Sequence, residues 1–203
     1  MAELLQAADI ERLGKALAAR GVLMEYVATG ADALSRLQAL VPTGAEVQTG
    51  SSTSLEQIGF IRWLTELHEN GKLMYHRAQT RGQRDSQARA ASRRLSTLAT
   101  YFLGSVNGLA MTGEAVITDN DGNRIGGYVY GAANVIWVVG MNKVVPTLDD
   151  AIRRTWDQVA PQEDARTQRT YGYASQIGKT LIFHREVTPD RVRLILVGEA
   201  LGF

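Results

Sequence analysis

The chain has 203 residues, 45% of them apolar, a net charge of +1 and no cysteine. That length suits one domain, residues 1–203, with a full core, and near-neutrality calls for neither nucleic acid nor a membrane surface as partner. The missing thiols exclude disulfides, a thiolate nucleophile and cysteine-held zinc or iron–sulfur within the chain, and they fit a reducing, cytoplasmic setting.

The first segment, about residues 3–20, lacks the apolar centre of a secretion signal. It reads as an amphipathic helix with Ile10, Leu13 and Leu17 on one face, closed at Gly21. No apolar run approaches the ~20 residues of a membrane-spanning helix. A strand over 22–27, a helix over 31–41 and a short strand over 45–49 follow. Residues 54–70 read as one helix, with Leu55, Ile58, Ile61, Leu64 and Leu67 at regular spacing. A strand over 72–76, a polar helix over 85–98 and an apolar strand over 99–103 complete the first half.

The alternation then breaks. Residues 109–118 read as a β-hairpin turning at Gly113, followed by the Asp119–Arg124 turn and a short helix over 124–131. Residues 134–140 (NVIWVVG) form the clearest buried strand, and Thr147 caps a helix over 148–159. Residues 160–179 read as polar and irregular, and two strands end the chain, over 181–184 and 191–197. Helices between short apolar strands imply an α/β fold: a Rossmann-like, mostly parallel sheet flanked by helices, with a β-hairpin insertion.

Thr49, Gly50, Ser51, Ser52 and Thr53 lie where a strand gives way to a helix. Backbone N–H groups and hydroxyls in such a turn receive an anion, and the same residues serve as a plain helix cap. Gly50 is expected in a left-handed turn there. Asn142 and Lys143 follow the central strand, where open α/β sheets gather ligands. Glu114, in the hairpin, is a candidate general base. The Asp119–Arg124 turn resembles a calcium loop but has Tyr130 where the bidentate glutamate belongs, so a plain turn is expected. His68, His76 and His184 have no metal-ligand spacing, and no metal is expected. Arg77, Arg81, Arg84, Arg89, Arg93 and Arg94 read as a solvated helix face, with nucleic-acid binding unlikely because no aromatics interleave. Trp63, Trp137 and Trp156 are expected to pack inside.

Several segments together resemble one family. Residues 47–60 (VQTGSSTSLEQIGF) are similar to its hydroxyl-rich turn and helix, and 101–107 (YFLGSVN) to its next strand. Residues 112–124 (TGEAVITDNDGNR) resemble its hairpin and loop, 135–145 (VIWVVGMNKVV) its central strand, and 196–203 (LVGEALGF) its last motif. The chain is on these grounds similar to the LUD (lactate-utilisation) domain family, in particular its single-domain LutC/YkgG type. The resemblance implies a NagB/RpiA/CoA-transferase-like fold. It implies that Asn107, Asn123, Arg124, Asn142 and Lys143 join the Thr49–Thr53 turn in one ligand cleft, with Glu114 or Glu199 as catalytic carboxylate. It implies a role as accessory subunit in oxidation of L-lactate or a related 2-hydroxy acid to pyruvate, beside iron–sulfur oxidoreductase subunits. The segment that carries a cysteine cluster in many members is here 170–180 (TYGYASQIGKT), without cysteine. No cofactor is therefore expected in this chain, and redox chemistry falls to a partner. A stand-alone enzyme acting on a phosphorylated or CoA-linked small molecule is the alternative.

Overall fold

The computed structural model describes residues 5–203. In chain order its elements are α1 (Ala7–Ala18), β1 (Val22–Val27), α2 (Gly30–Leu40), β2 (Glu46–Thr49), α3 (Thr53–Gln57), α4 (Phe60–Glu69), β3 (Met74–Tyr75), α5 (His76–Gly82), α6 (Ser86–Leu95), β4 (Tyr101–Gly104), β5 (Gly108–Ala110), β6 (Ala115–Asp119), α7 (Asn123–Gly126), β7 (Asn134–Gly140), β8 (Val144–Val145), α8 (Leu148–Arg154), α9 (Ala160–Tyr171), β9 (Lys179–Phe183) and β10 (Val192–Val197). The expected helix over 3–20 is α1, and residues 3 and 4 lie outside the described part.

Six strands form a wholly parallel sheet in the order β1-β10-β7-β4-β2-β3. Its central strands are apolar on both faces because both faces are covered. Along β7, Val135, Trp137 and Val139 enter one core and Ile136 and Val138 the other; on β10, Leu194 and Leu196 divide from Ile195 and Val197 in the same way. Helix α1 seals the first core with Leu13 and Leu17, while α2, α3 and α4 seal the second with Leu37, Leu55, Phe60 and Leu64. The hairpin insertion is larger than expected. Its two strands are joined by β8 and β9 into a second sheet, order β8-β5-β6-β9, so the strand expected over 181–184 belongs there and not beside β10.

Three expectations need correction. The single helix over 54–70 is two, because Gly59 takes φ +80° between α3 and α4, a left-handed state open to glycine that breaks the helical run. The irregular stretch over 160–179 contains helix α9. It continues α8 through a π-helical turn at Thr155–Val159, and Pro161 lies in its first turn, where its missing N–H is tolerated. Residues 72–76 supply only a two-residue strand, and His76 opens helix α5, which periodicity did not reveal. Trp137 is fully buried, as expected, whereas Trp156 is 57% exposed.

The topology sets the position of the cleft. From β2 the chain moves outward to β3, and from β4 it moves back toward β7. Neighbouring parallel strands whose connections depart in opposite directions leave a crevice at their carboxyl ends, where such sheets bind ligands.

Candidate functional site

A cleft of about 550 Å³ opens at this switch point. Its floor comes from the turn after β2 (Thr49 to Ser54), the turn after β4 (Ser105 to Asn107) and Lys143 after β7. Of the ligand residues expected from sequence, Thr49, Gly50, Ser51, Ser52, Thr53, Asn107, Asn123, Arg124 and Lys143 all line it.

Lys143 bridges the two sides of the switch. Its Nζ donates to Ser54 Oγ (3.1 Å), on the β2 side, and to Ser105 Oγ (3.0 Å) and the Val106 carbonyl (3.3 Å), on the β4 side. The residue is only 4% exposed. All three acceptors are neutral. Burial, with Arg154 and Arg124 nearby, lowers its pKa to about 7.

The turn after β2 is built on its own hydroxyls. Thr49 is buried and its Oγ1 lies 2.7 Å from the Tyr75 hydroxyl. Burial raises the pKa of Tyr75, so its hydroxyl keeps its proton. Ser52 caps α3 by accepting from the Leu55 N–H, and Ser51 Oγ accepts from Arg77. Gly50 is not at positive φ, contrary to expectation. Its side-chain space is occupied instead by the stem of Arg124, whose guanidinium turns back to the Thr118 carbonyl and to Asp119.

The arginines expected as a solvated face are the main surprise. Helices α5 and α6 fold over the cleft and bring Arg77, Arg81, Arg89 and Arg93 to its wall. Arg166 of α9 joins them, followed by Tyr171, Tyr173, Ser175 and Gln176. Seven cationic side chains thus face three side-chain carboxylates. Each carboxylate is already paired: Asp121 with Arg93 (2.5 Å), Asp119 with Arg124 (3.6 Å) and Glu163 with Arg166 (2.6 Å). Among the described residues, Arg77, Arg81, Arg89 and Lys143 have no carboxylate partner. Burial lowers the pKa of Arg77, which marks a cation held out of water without a counter-charge.

Other expected residues serve elsewhere. Asn142 points away from the cleft and holds the C-terminal segment, accepting from the Leu201 N–H (3.0 Å) and donating to the Gly202 carbonyl (3.4 Å). Asn107 lines the cleft, but its Oδ1 is spent on the Thr118 N–H. Glu114 lies outside the cleft, ion-paired to Arg20 just after α1 and accepting from Thr112 Oγ1. Glu199 also lies outside it, accepting from the Gly30 N–H at the start of α2. Neither carboxylate reaches the cationic floor, because the hairpin tip turns toward α1 and the residues after β10 turn toward α2. The Asp119–Arg124 turn is braced by its two ion pairs, and Tyr130 points outward, 89% exposed. Residues 170–180 contain no thiolate and so do not fit an iron–sulfur cluster.

An open parallel sheet with helices on both faces and a cation-lined crevice at its switch point defines a Rossmann-like α/β protein. The sequence model of the LUD domain matches residues 10–197, and the chain belongs to the LUD domain family, which is linked to lactate utilisation. A crystal structure of a DUF162 family protein from Deinococcus radiodurans is similar in fold, with a TM-score of 0.53 and 14% identity, over 96% of this chain and 99% of that one. No curated protein sequence matches the chain. No helix among the described residues is long and apolar enough to cross a membrane.

Proposed function

We propose that the protein binds a small carboxylate metabolite, L-lactate, pyruvate or a related 2-hydroxy or 2-oxo acid, as a LutC-like accessory subunit of cytoplasmic lactate oxidation. The observation that carries this reading is the set of three arginines, Arg77, Arg81 and Arg89, that line the cleft beside Lys143 without carboxylate partners among the described residues. Uncompensated cations cost stability through desolvation and mutual repulsion, and an arriving anion offsets that cost. With no cysteine in the chain, electrons leave through iron–sulfur partner subunits. Calorimetric titration with L-lactate and pyruvate tests the first half, with saturable binding expected at low ionic strength. A pull-down from lactate-grown cells tests the second: recovery of iron–sulfur oxidoreductase subunits supports it, and their absence rejects it.

A larger ligand is the second reading. The cleft exceeds what a three-carbon acid fills, and Tyr171 and Tyr173 stack on its wall with ring centroids 5.7 Å apart. Such a wall suits the planar group of a phosphorylated or CoA-linked molecule, with arginines on its phosphates. A thermal shift with CoA esters or nucleotides that exceeds the shift with lactate would favour this reading.

A further inference from the structure

We propose that the Lys143 amine is a nucleophile that forms a Schiff base with the ketone carbonyl of a 2-oxo acid held in the cleft. The inference rests on the carboxylate reading above and adds a covalent step to it.

A lysine that serves only to hold an anion is favoured by remaining charged. Lys143 is placed where charge is disfavoured. The groups facing it are Ser54 from the turn after β2, Ser105 and the Val106 carbonyl from the turn after β4, and two cations, Arg154 of α8 and Arg124 of α7. Among the described residues no carboxylate lies within ion-pair distance of Nζ. The guanidinium of Arg154 is fixed on the Asn142 and Asn107 carbonyls and cannot turn away. Desolvation beside other cations is how a lysine becomes a free amine near neutral pH.

The hydrogen bonds also fit the neutral amine, which has two N–H groups and one lone pair. The Val106 carbonyl can only accept, and the Ser54 hydroxyl is directed to the Leu201 carbonyl (3.3 Å), so its oxygen accepts from Nζ. The Ser105 hydroxyl reaches both the Val106 carbonyl (3.4 Å), to which it donates, and Nζ (3.0 Å), so it is the group that can turn from the carbonyl to the lone pair of the neutral amine and release it when a ketone arrives. Gly202 lies against the amine without crowding it, where a Cβ would come within 3.1 Å of Nζ and 2.6 Å of Ser54 Oγ, and both Lys143 and Gly202 line the cleft. A 2-oxo acid offers the two groups this floor separates: a carboxylate for the unpaired arginines and an adjacent ketone for the amine.

The step balances without an oxidant. The Nζ lone pair forms a C–N bond to the keto carbon while the C=O π pair moves to oxygen, which takes up a proton as nitrogen loses one. The resulting carbinolamine expels that oxygen as water, leaving the imine. One amine and one ketone give one imine and one water.

The test uses the full chain, pyruvate and sodium borohydride, which reduces an imine to a stable secondary amine. The chain has only Lys15, Lys72, Lys143 and Lys179, so peptide mapping assigns the adduct directly. The expected result is one adduct at Lys143, formed at least about tenfold faster than at the other lysines at neutral pH, suppressed by excess L-lactate, and lost in Lys143→Arg and Lys143→Met. Pyruvate binding by saturation-transfer NMR without an adduct at Lys143, or labelling spread evenly over the four lysines, overturns the proposal and leaves the carboxylate reading standing. Binding of neither pyruvate nor lactate overturns both.

Discussion

The stem of Arg124 lies across Gly50 so closely that a Cβ on Gly50 would overlap Arg124 Cδ and Cγ. The glycine in the hydroxyl-rich turn is therefore a space for a neighbouring arginine rather than a flexible joint. Gly50→Val should push Arg124 off its contacts with Asp119 and the Thr118 carbonyl. Overpacking of this kind costs about 1–3 kcal/mol. We expect a lowered melting temperature together with weakened carboxylate binding, checked by thermal denaturation and calorimetry on the same sample. Gly50→Ala should show the same effects in smaller degree.

Arg81 is exposed and has no acidic partner among the described residues, so its charge adds little to the fold. Arg81→Gln should leave the melting temperature unchanged or slightly raised and weaken carboxylate binding about threefold to tenfold. Binding titrations at low and high salt check this, and the difference between wild type and variant should shrink as salt rises.

Lys143 gives stability a defined pH dependence. Its pKa falls from the ordinary lysine value of 10.5 to about 7 in the folded protein. Below pH 7 the amine is charged in both states and the full burial penalty is present. Between about 7 and 10.5 the unfolded chain binds the extra proton, so stability rises with pH through this window. The rise is on the order of a few kcal/mol. Lys143→Met should be more stable than wild type at pH 6, with the advantage disappearing toward pH 10. Urea unfolding across that range measures it.

Glu114 belongs to the scaffold. Burial opposes its charge, but hydrogen bonding from Thr112 and the Arg20 guanidinium prevail and hold its pKa below the usual carboxylate value. Its contribution is present above the ordinary glutamate pKa and is lost as acid protonates it below that range. Glu114→Gln should cost about 1–3 kcal/mol near pH 7 and leave carboxylate binding intact, measured by denaturation and titration. A loss of binding with an unchanged fold would instead restore Glu114 to the site.

The parts of this molecule legible in its sequence are those set by local pattern. The strands at 22–27 and 134–140 are mostly apolar runs, broken only by Glu25 and opened by Asn134, and both were expected with the boundaries they have. Thr147 accepts from the Asp150 N–H as a cap should. Helix α9 was hidden because its surface is polar almost all round, with only Thr167 buried, so it carries no apolar stripe. The arginine wall was hidden for another reason. Nothing in the spacing of residues 77–93 records that α5 and α6 fold back over the end of β2, because that is a matter of tertiary placement. Ser54 and Ser105, the partners of Lys143, are 51 residues apart and meet only because β2 and β4 are neighbours across the switch point. The turn at Thr49 to Thr53 and Lys143 were legible, since both follow strands at the carboxyl edge of the sheet.

The central claim is that an acid metabolite is held at this switch point by cations that have no carboxylate partner among the described residues. A crystal structure with pyruvate bound tests it most directly. The account predicts the carboxylate between Arg77, Arg81 or Arg89 and the turn after β2, with the ketone directed at Lys143 Nζ. Pyruvate bound away from the cleft, or a cleft still holding only solvent at saturating pyruvate, would contradict it.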